Sequence, residues 1–111
     1  MTDGFGLVVR FMCKDQASAE GFDRLVAETV EKIRAHEPGT LVYAVHQVEG
    51  QPLQRIFYEL YADRAAFEAH EAQPHVQHFL AEREQYLSAT EVDFLTPQVA
   101  KGLPGGGSDA E

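Results

Sequence analysis

Apolar residues crowd the stretch Phe5 to Cys13 (FGLVVRFMC) on both alternating sides, the pattern of a strand covered on two faces and so interior to its sheet. From Phe22 the rhythm changes. Phe22, Leu25, Val26, Thr29, Val30 and Ile33 recur at helical spacing, with Asp23, Glu28, Glu31, Lys32 and Arg34 on the other side, which predicts a long amphipathic helix. Asp15 or Ser18 is placed to cap its start. The run HEPGT ends it, because Pro38 disfavours helical geometry at Glu37 and Gly39 permits a sharp reversal. Two extended runs, TLVYAVHQV and PLQRIFYELYA, meet at the turn-forming residues Glu49 to Pro52 and read as a hairpin. Asp63 caps a short helix to about Gln73, and Pro74 opens another whose inner stripe is Val76, Phe79, Leu80, Arg83 and Leu87. ATEVDFLTP supplies a last strand.

The order β, α, β, β, α, β predicts an α+β, ferredoxin-like fold with an antiparallel sheet and helices on one face. Its register decides what shares a face. Pairing Val48 with Leu53 puts Val42, Ala44, His46, Arg55, Phe57, Glu59 and Tyr61 on one side of the hairpin. Leu41, Tyr43, Val45, Ile56, Tyr58 and Leu60 then take the other. Neither set suits water, so the helix-free face needs a partner, and a homodimer packed sheet against sheet is expected. The domain is expected over residues 1–98, with the glycine-rich and polar 99–111 as a disordered tail.

Composition narrows the function classes. A chain of 111 residues, 44% hydrophobic, suits one core. Nine basic against 18 acidic residues give a net charge of -9, which argues against nucleic acid and anionic membrane surfaces as partners. Cys13 is the single cysteine, so no intrachain disulfide forms and a reducing, cytoplasmic setting is expected. No run approaches the roughly 20 apolar residues of a membrane helix, and MTDGFGLVV lacks the charged start of a signal peptide.

Candidate chemistry gathers between residues 65 and 79, where His70, His75 and His78 fall close together. His75, His78 and Glu82 have the spacing of ligands along one helical face. The inner stripe of that helix nevertheless turns both histidines to a flank, where solvent is the usual neighbour, so no metal site is expected and His75 reads as part of a helix start. His70 continues the inner face of its helix with Ala66 and Phe67. It therefore looks toward the sheet, where Glu59 shares a side with His46, Phe57 and Tyr61 under the register above. A carboxylate beside an imidazole fixes its tautomer and raises its basicity, as proton removal from a phenol requires. The same pair also reads as a buried hydrogen bond joining helix to strand. Phe57, Tyr61, Phe67 and Phe79 are candidate walls of an apolar pocket, Ala44 leaves space in it, and His46 or Arg10 is a candidate for holding an anion. Arg10 alternatively forms an interface ion pair with Glu59 or Asp93. Neither a Gly-x-Gly-x-x-Gly fingerprint nor a P-loop occurs, so nucleotide or flavin binding has no sequence support.

Taken together, EPGTLVYAVHQ, IFYELYADRAAFEAH and QPHVQHF resemble the antibiotic biosynthesis monooxygenase family of the dimeric α/β-barrel superfamily. The matching blocks are Pro38-Gly39, Tyr43, Tyr58-Glu59-Leu60-Tyr61, Ala66 to His70, and Pro74-His75, and the resemblance covers about residues 5–97. It implies a homodimer of ferredoxin-like subunits, each with a pocket between sheet and helices. Members oxidise quinols or aromatic polyketides with dioxygen and no cofactor, isomerise an autoinducer, or degrade haem. The haem-degrading members imply a tryptophan and a first-strand asparagine, and this chain has neither residue type. The expectation is thus a cofactor-independent monooxygenase of a quinol or polycyclic phenol, with His70 as base oriented by Glu59. An isomerase of a small phosphorylated ligand and a non-catalytic dimeric binding module are the alternatives.

Overall fold

The computed structural model describes residues 4–102 and has the expected ferredoxin-like order. Strand β1 (Phe5–Cys13) leads to helix α1 (Gln16–His36), then strands β2 (Thr40–Val48) and β3 (Gln51–Tyr61). Helices α2 (Arg64–Glu71) and α3 (Pro74–Glu82), a short 3-10 turn over Arg83–Tyr86 and strand β4 (Leu87–Leu95) complete it. From residue 103 onward the expected tail lies outside the described residues.

The sheet is antiparallel in the order β2-β3-β1-β4, so the two-sided apolar strand β1 is interior. Local chemistry accounts for the helix limits. Asp15 accepts the Ser18 amide at 2.8 Å and Asp63 accepts the Ala66 amide at 2.8 Å, each side chain satisfying a first-turn N–H. Pro74 sits at the start of α3, where its missing N–H costs nothing. Leu87, expected on the inner stripe of α3, instead begins β4, because the helix tightens into the 3-10 turn after Glu82.

Register brings a correction with functional weight. Tyr43 pairs with Glu59 and Val45 with Phe57, whereas Val48 pairs with Gln51. The ladder shifts between Gln47 and Val48, and Gly50 takes a positive φ of 77° in the turn. Extrapolating from Val48 opposite Leu53 misses this irregularity by one residue, and one residue exchanges the faces. Tyr43 and Val45 therefore lie under the helices with Phe57, Glu59 and Tyr61. Val42, Ala44 and His46 lie on the helix-free face with Ile56 and Tyr58.

The helix-covered face carries the core. Phe11, Phe22, Phe57 and Phe79 form a mutually contacting aromatic group, with Phe11 to Phe57 ring centroids 4.7 Å apart and Phe11 to Phe22 5.2 Å apart. Tilted and edge-on pairs of this kind add about 0.5–1.5 kcal/mol beyond burial alone. Gly21, in the buried face of α1, is packed directly beneath the Tyr86 ring, leaving no room for a Cβ. Gly21→Ala is therefore expected to destabilise the fold by ~1–3 kcal/mol through overpacking. A denaturant titration checks it, and an unchanged midpoint would mean the ring yields freely.

Candidate functional site

Glu37 stands where α1 must stop. Its amide still bonds Ile33 O, but Pro38 drives its backbone out of the helix, to φ -127° and ψ 77°. The side chain is carried inward and buried. There it accepts three hydrogen bonds: His70 Nδ1 on Oε1 at 2.6 Å, His75 Nε2 on Oε2 at 2.5 Å, and Thr40 Oγ1 on Oε1 at 2.7 Å. A carboxylate only accepts, so the two rings donate to it, and in its neutral form His70 then has Nε2 as its acceptor nitrogen. Gly39 makes the contact possible. A Cβ there would lie 2.7 Å from Ala66 Cβ, so only glycine lets the first turn of α2 dock close enough to present His70.

His70 is thus oriented by Glu37, and Glu59 is engaged elsewhere. Its carboxyl accepts the Tyr61 hydroxyl at 2.6 Å. Both Glu59 and His70 nevertheless line one partly enclosed cavity of about 120 Å3 between the sheet and helices α2 and α3. Leu7, Val9, Phe11, Phe67, Val76 and Phe79 supply most of its apolar wall. Burial pushes the Glu59 carboxyl up to about 7, against the lowering effects of the Tyr61 hydroxyl and the Arg83 charge. Burial likewise raises Tyr43, on the cavity wall, and Tyr61 above the ordinary phenol value, so both are hydrogen-bond donors at neutral pH.

The residues expected to bind substrate divide by face. Phe67 and Phe79 line the cavity, while Phe57 and Tyr61 buttress it, Phe57 stacking on Phe79 at 6.2 Å and Tyr61 meeting Phe67 edge-on at 5.2 Å. Arg10, Ala44 and His46 are on the opposite face of the sheet. Arg10 donates to Gln54 there at 2.7 Å instead of pairing with Glu59 or Asp93, and His46 Nδ1 lies 3.2 Å from Ile56 O. His75 is buried against Glu37 instead of lying on a solvated flank, whereas His78 and Glu82 are exposed. Among the described residues no group of three or more His, Cys, Asp or Glu side chains is placed to hold a metal ion.

Sequence reasoning missed Glu37, Tyr43 and Arg83 as site residues. Arg83 carried a signal as a charge on an otherwise apolar helical stripe, and Tyr43 as one of the blocks that resemble the family, whereas Glu37 carried none. A larger cleft of about 560 Å3 lies between α1 and α3, bordered by Lys32, His36, His75 and His78. It is more open than the inner cavity and most of its lining residues are exposed, so the inner cavity is the stronger candidate for chemistry that needs water kept out.

A ferredoxin-like antiparallel sheet, with an acid and an imidazole in a cavity under its helices, places the chain in the α+β class. The chain belongs to the antibiotic biosynthesis monooxygenase family, whose model matches residues 5–82. It is similar to a protein of Bacteroides thetaiotaomicron described as a candidate antibiotic biosynthesis monooxygenase, at 26% identity and a TM-score of 0.82, over 91% of this chain and 94% of that one. A Pseudomonas aeruginosa protein superposes with a TM-score of 0.79 at 25% identity, over 89% and 98% of the two chains. A Mycobacterium tuberculosis protein, 20% identical over 88% and 98% with a TM-score of 0.80, shares the fold. No functionally curated protein matches the chain. Among the described residues no helix is long and apolar enough to cross a membrane.

Proposed function

We propose that this chain oxidises a one-ring quinol with dioxygen, without a cofactor, in the inner cavity. The observation that carries this reading is the burial of His70 and Glu59 in the wall of one partly enclosed, largely apolar cavity. His70, held by Glu37, removes a phenolic proton at Nε2, and the electron-rich anion then reduces dioxygen. One oxygen atom enters the ring and the other leaves as water, so hydroquinone plus dioxygen gives hydroxyquinone plus water. Glu59 exchanges protons near neutral pH and is suited to return one to the peroxide formed on the way. The size of the cavity, about 120 Å3, favours a single ring over a polycyclic phenol, since a cavity of about 150 Å3 holds benzene.

Oxygen uptake with a panel of one-ring hydroquinones and tricyclic anthrols tests this reading. Faster consumption with one-ring substrates is expected, falling by about 100-fold or more in His70→Ala. No consumption above the uncatalysed rate, or wild-type rates in the variant, would overturn it.

The same reading includes a homodimer. Val8, Met12, Val42, Ala44, Ile56 and Tyr58 form an apolar, half-buried patch on the helix-free face of the sheet, which suits a second copy. Ile56→Glu is expected to halve the mass seen by light scattering at unchanged helical content. A wild-type monomer at micromolar concentration would remove the dimer.

A further inference from the structure

We propose that Arg83 is the anion-holding group of the inner cavity, and that the ligand the cavity takes is a one-ring aromatic bearing an ionised oxygen. The inference builds on the cavity assigned above and names a property of its ligand.

Arg83 opens the 3-10 turn after α3 and joins the cavity wall. Its guanidinium lies over two aromatic rings of the same wall, 5.5 Å from the Phe11 centroid and 5.7 Å from that of Phe79. Those contacts favour the charge but accept no hydrogen bond in the plane of the group. Among the described residues, Arg83 Nε is the one buried side-chain nitrogen or oxygen without a hydrogen-bond partner. The nearest carboxylate, that of the exposed Glu84, is 3.7 Å away, too far for a hydrogen bond.

A buried donor without an acceptor is destabilising, most of all on a charged group, so folding alone gives no reason to keep one. A ligand oxygen supplies the missing acceptor. Glu59 is the other ionisable group of the wall whose carboxyl feels this charge, yet burial outweighs the attraction and leaves it largely uncharged below neutral pH. The cavity thus keeps a cation to which neither Glu84, 3.7 Å off, nor Glu71, which also borders the cavity, gives a hydrogen-bond acceptor. A guanidinium resting against two rings is also planar, the geometry suited to a carboxylate or phenolate set edge-on to it.

Calorimetric titration with four one-ring probes tests the proposal without requiring turnover: benzoate, 2,4-dinitrophenolate, benzamide and toluene, at about pH 6, where both probe acids are ionised and the Glu59 carboxyl is largely protonated. The two anions are expected to bind wild type about tenfold or more tighter than the neutral probes. Arg83→Met should remove that advantage and leave toluene unchanged, and Arg83→Lys should restore part of it. Preference for benzoate over dinitrophenolate points to a resident carboxylate on the natural ligand; the reverse points to the phenolate formed by deprotonation. Amide shifts at Phe11 and Phe79 in NMR spectra locate the site in each variant, and circular dichroism establishes that each is folded. Anions binding no tighter than neutral probes, equal losses for all probes in folded Arg83→Met, or no binding by any probe would each overturn the inference. Arg83-dependent benzoate binding in a protein that oxidises no quinol would uphold it while removing the monooxygenase reading.

Discussion

Glu59→Gln is expected to raise the stability of the protein at about pH 8 and to leave it nearly unchanged at about pH 4. Burial is the main reason that the Glu59 carboxyl rises from 4.5 to about 7 in the fold. Between those values the folded chain holds a proton that the unfolded chain has lost. Stability therefore falls as pH climbs through this window, is fully retained below about 4.5, and is fully lost once pH passes about 7. A rise of this size corresponds to a penalty on the order of 3 kcal/mol at alkaline pH. Glutamine removes the penalty and still offers an oxygen to the Tyr61 hydroxyl. Denaturant midpoints of both proteins, compared across pH, isolate Glu59 from the other titrating groups. A difference that does not grow between about pH 4 and 8 would show that the carboxylate stays solvated. Quinol oxidation, by the reading above, should fall in the same variant, so the destabilising acid is retained for chemistry.

Glu37→Ala is the substitution expected to cost most, ~3–5 kcal/mol of folding stability. The side chain is buried and accepts from two imidazoles and a hydroxyl, all of which lose their partner at once. Glu37→Gln should cost less but still be harmful, because its amide nitrogen turns a donor toward one of two rings that also donate. Two further single variants and their combination, His70→Ala and His75→Ala, reveal the shared carboxylate. Their costs should depart from additivity by about 0.5 kcal/mol or more. Additive costs, or a mild Glu37→Ala, would mean that the three side chains do not act as one unit. For a domain whose total stability is of the order of 5–15 kcal/mol, such a loss also shows whether this joint holds α2 and α3 to the sheet.

The elements were legible because their causes are local. A proline after Glu37, aspartates at 15 and 63, and the change from two-sided apolar runs to helical spacing each act within a few residues. Hence the order of strands and helices, the interior place of β1 and the inward aim of His70 follow from the chain itself. The candidate site was legible only in part. Glu59, His70, Phe67 and Phe79 were found because they lie on apolar stripes that must be buried, and Phe57 and Tyr61 support them from behind.

What the sequence by itself determined is which residues must leave water: the periodicity of an amphipathic stripe is a property of neighbours. What only the tertiary structure decided is who meets whom inside. A shift in the β2–β3 ladder moved Ala44 and His46 to the far face and brought Tyr43 beside Glu59, since strand side chains alternate and one residue of register reverses them. Glu37 lies 33 and 38 positions from the histidines it joins, and no local pattern specifies contacts across such separations. Arg83 shows the same division. Its place on an inner stripe is visible in the sequence, but that its buried nitrogen lacks an acceptor is a fact of packing.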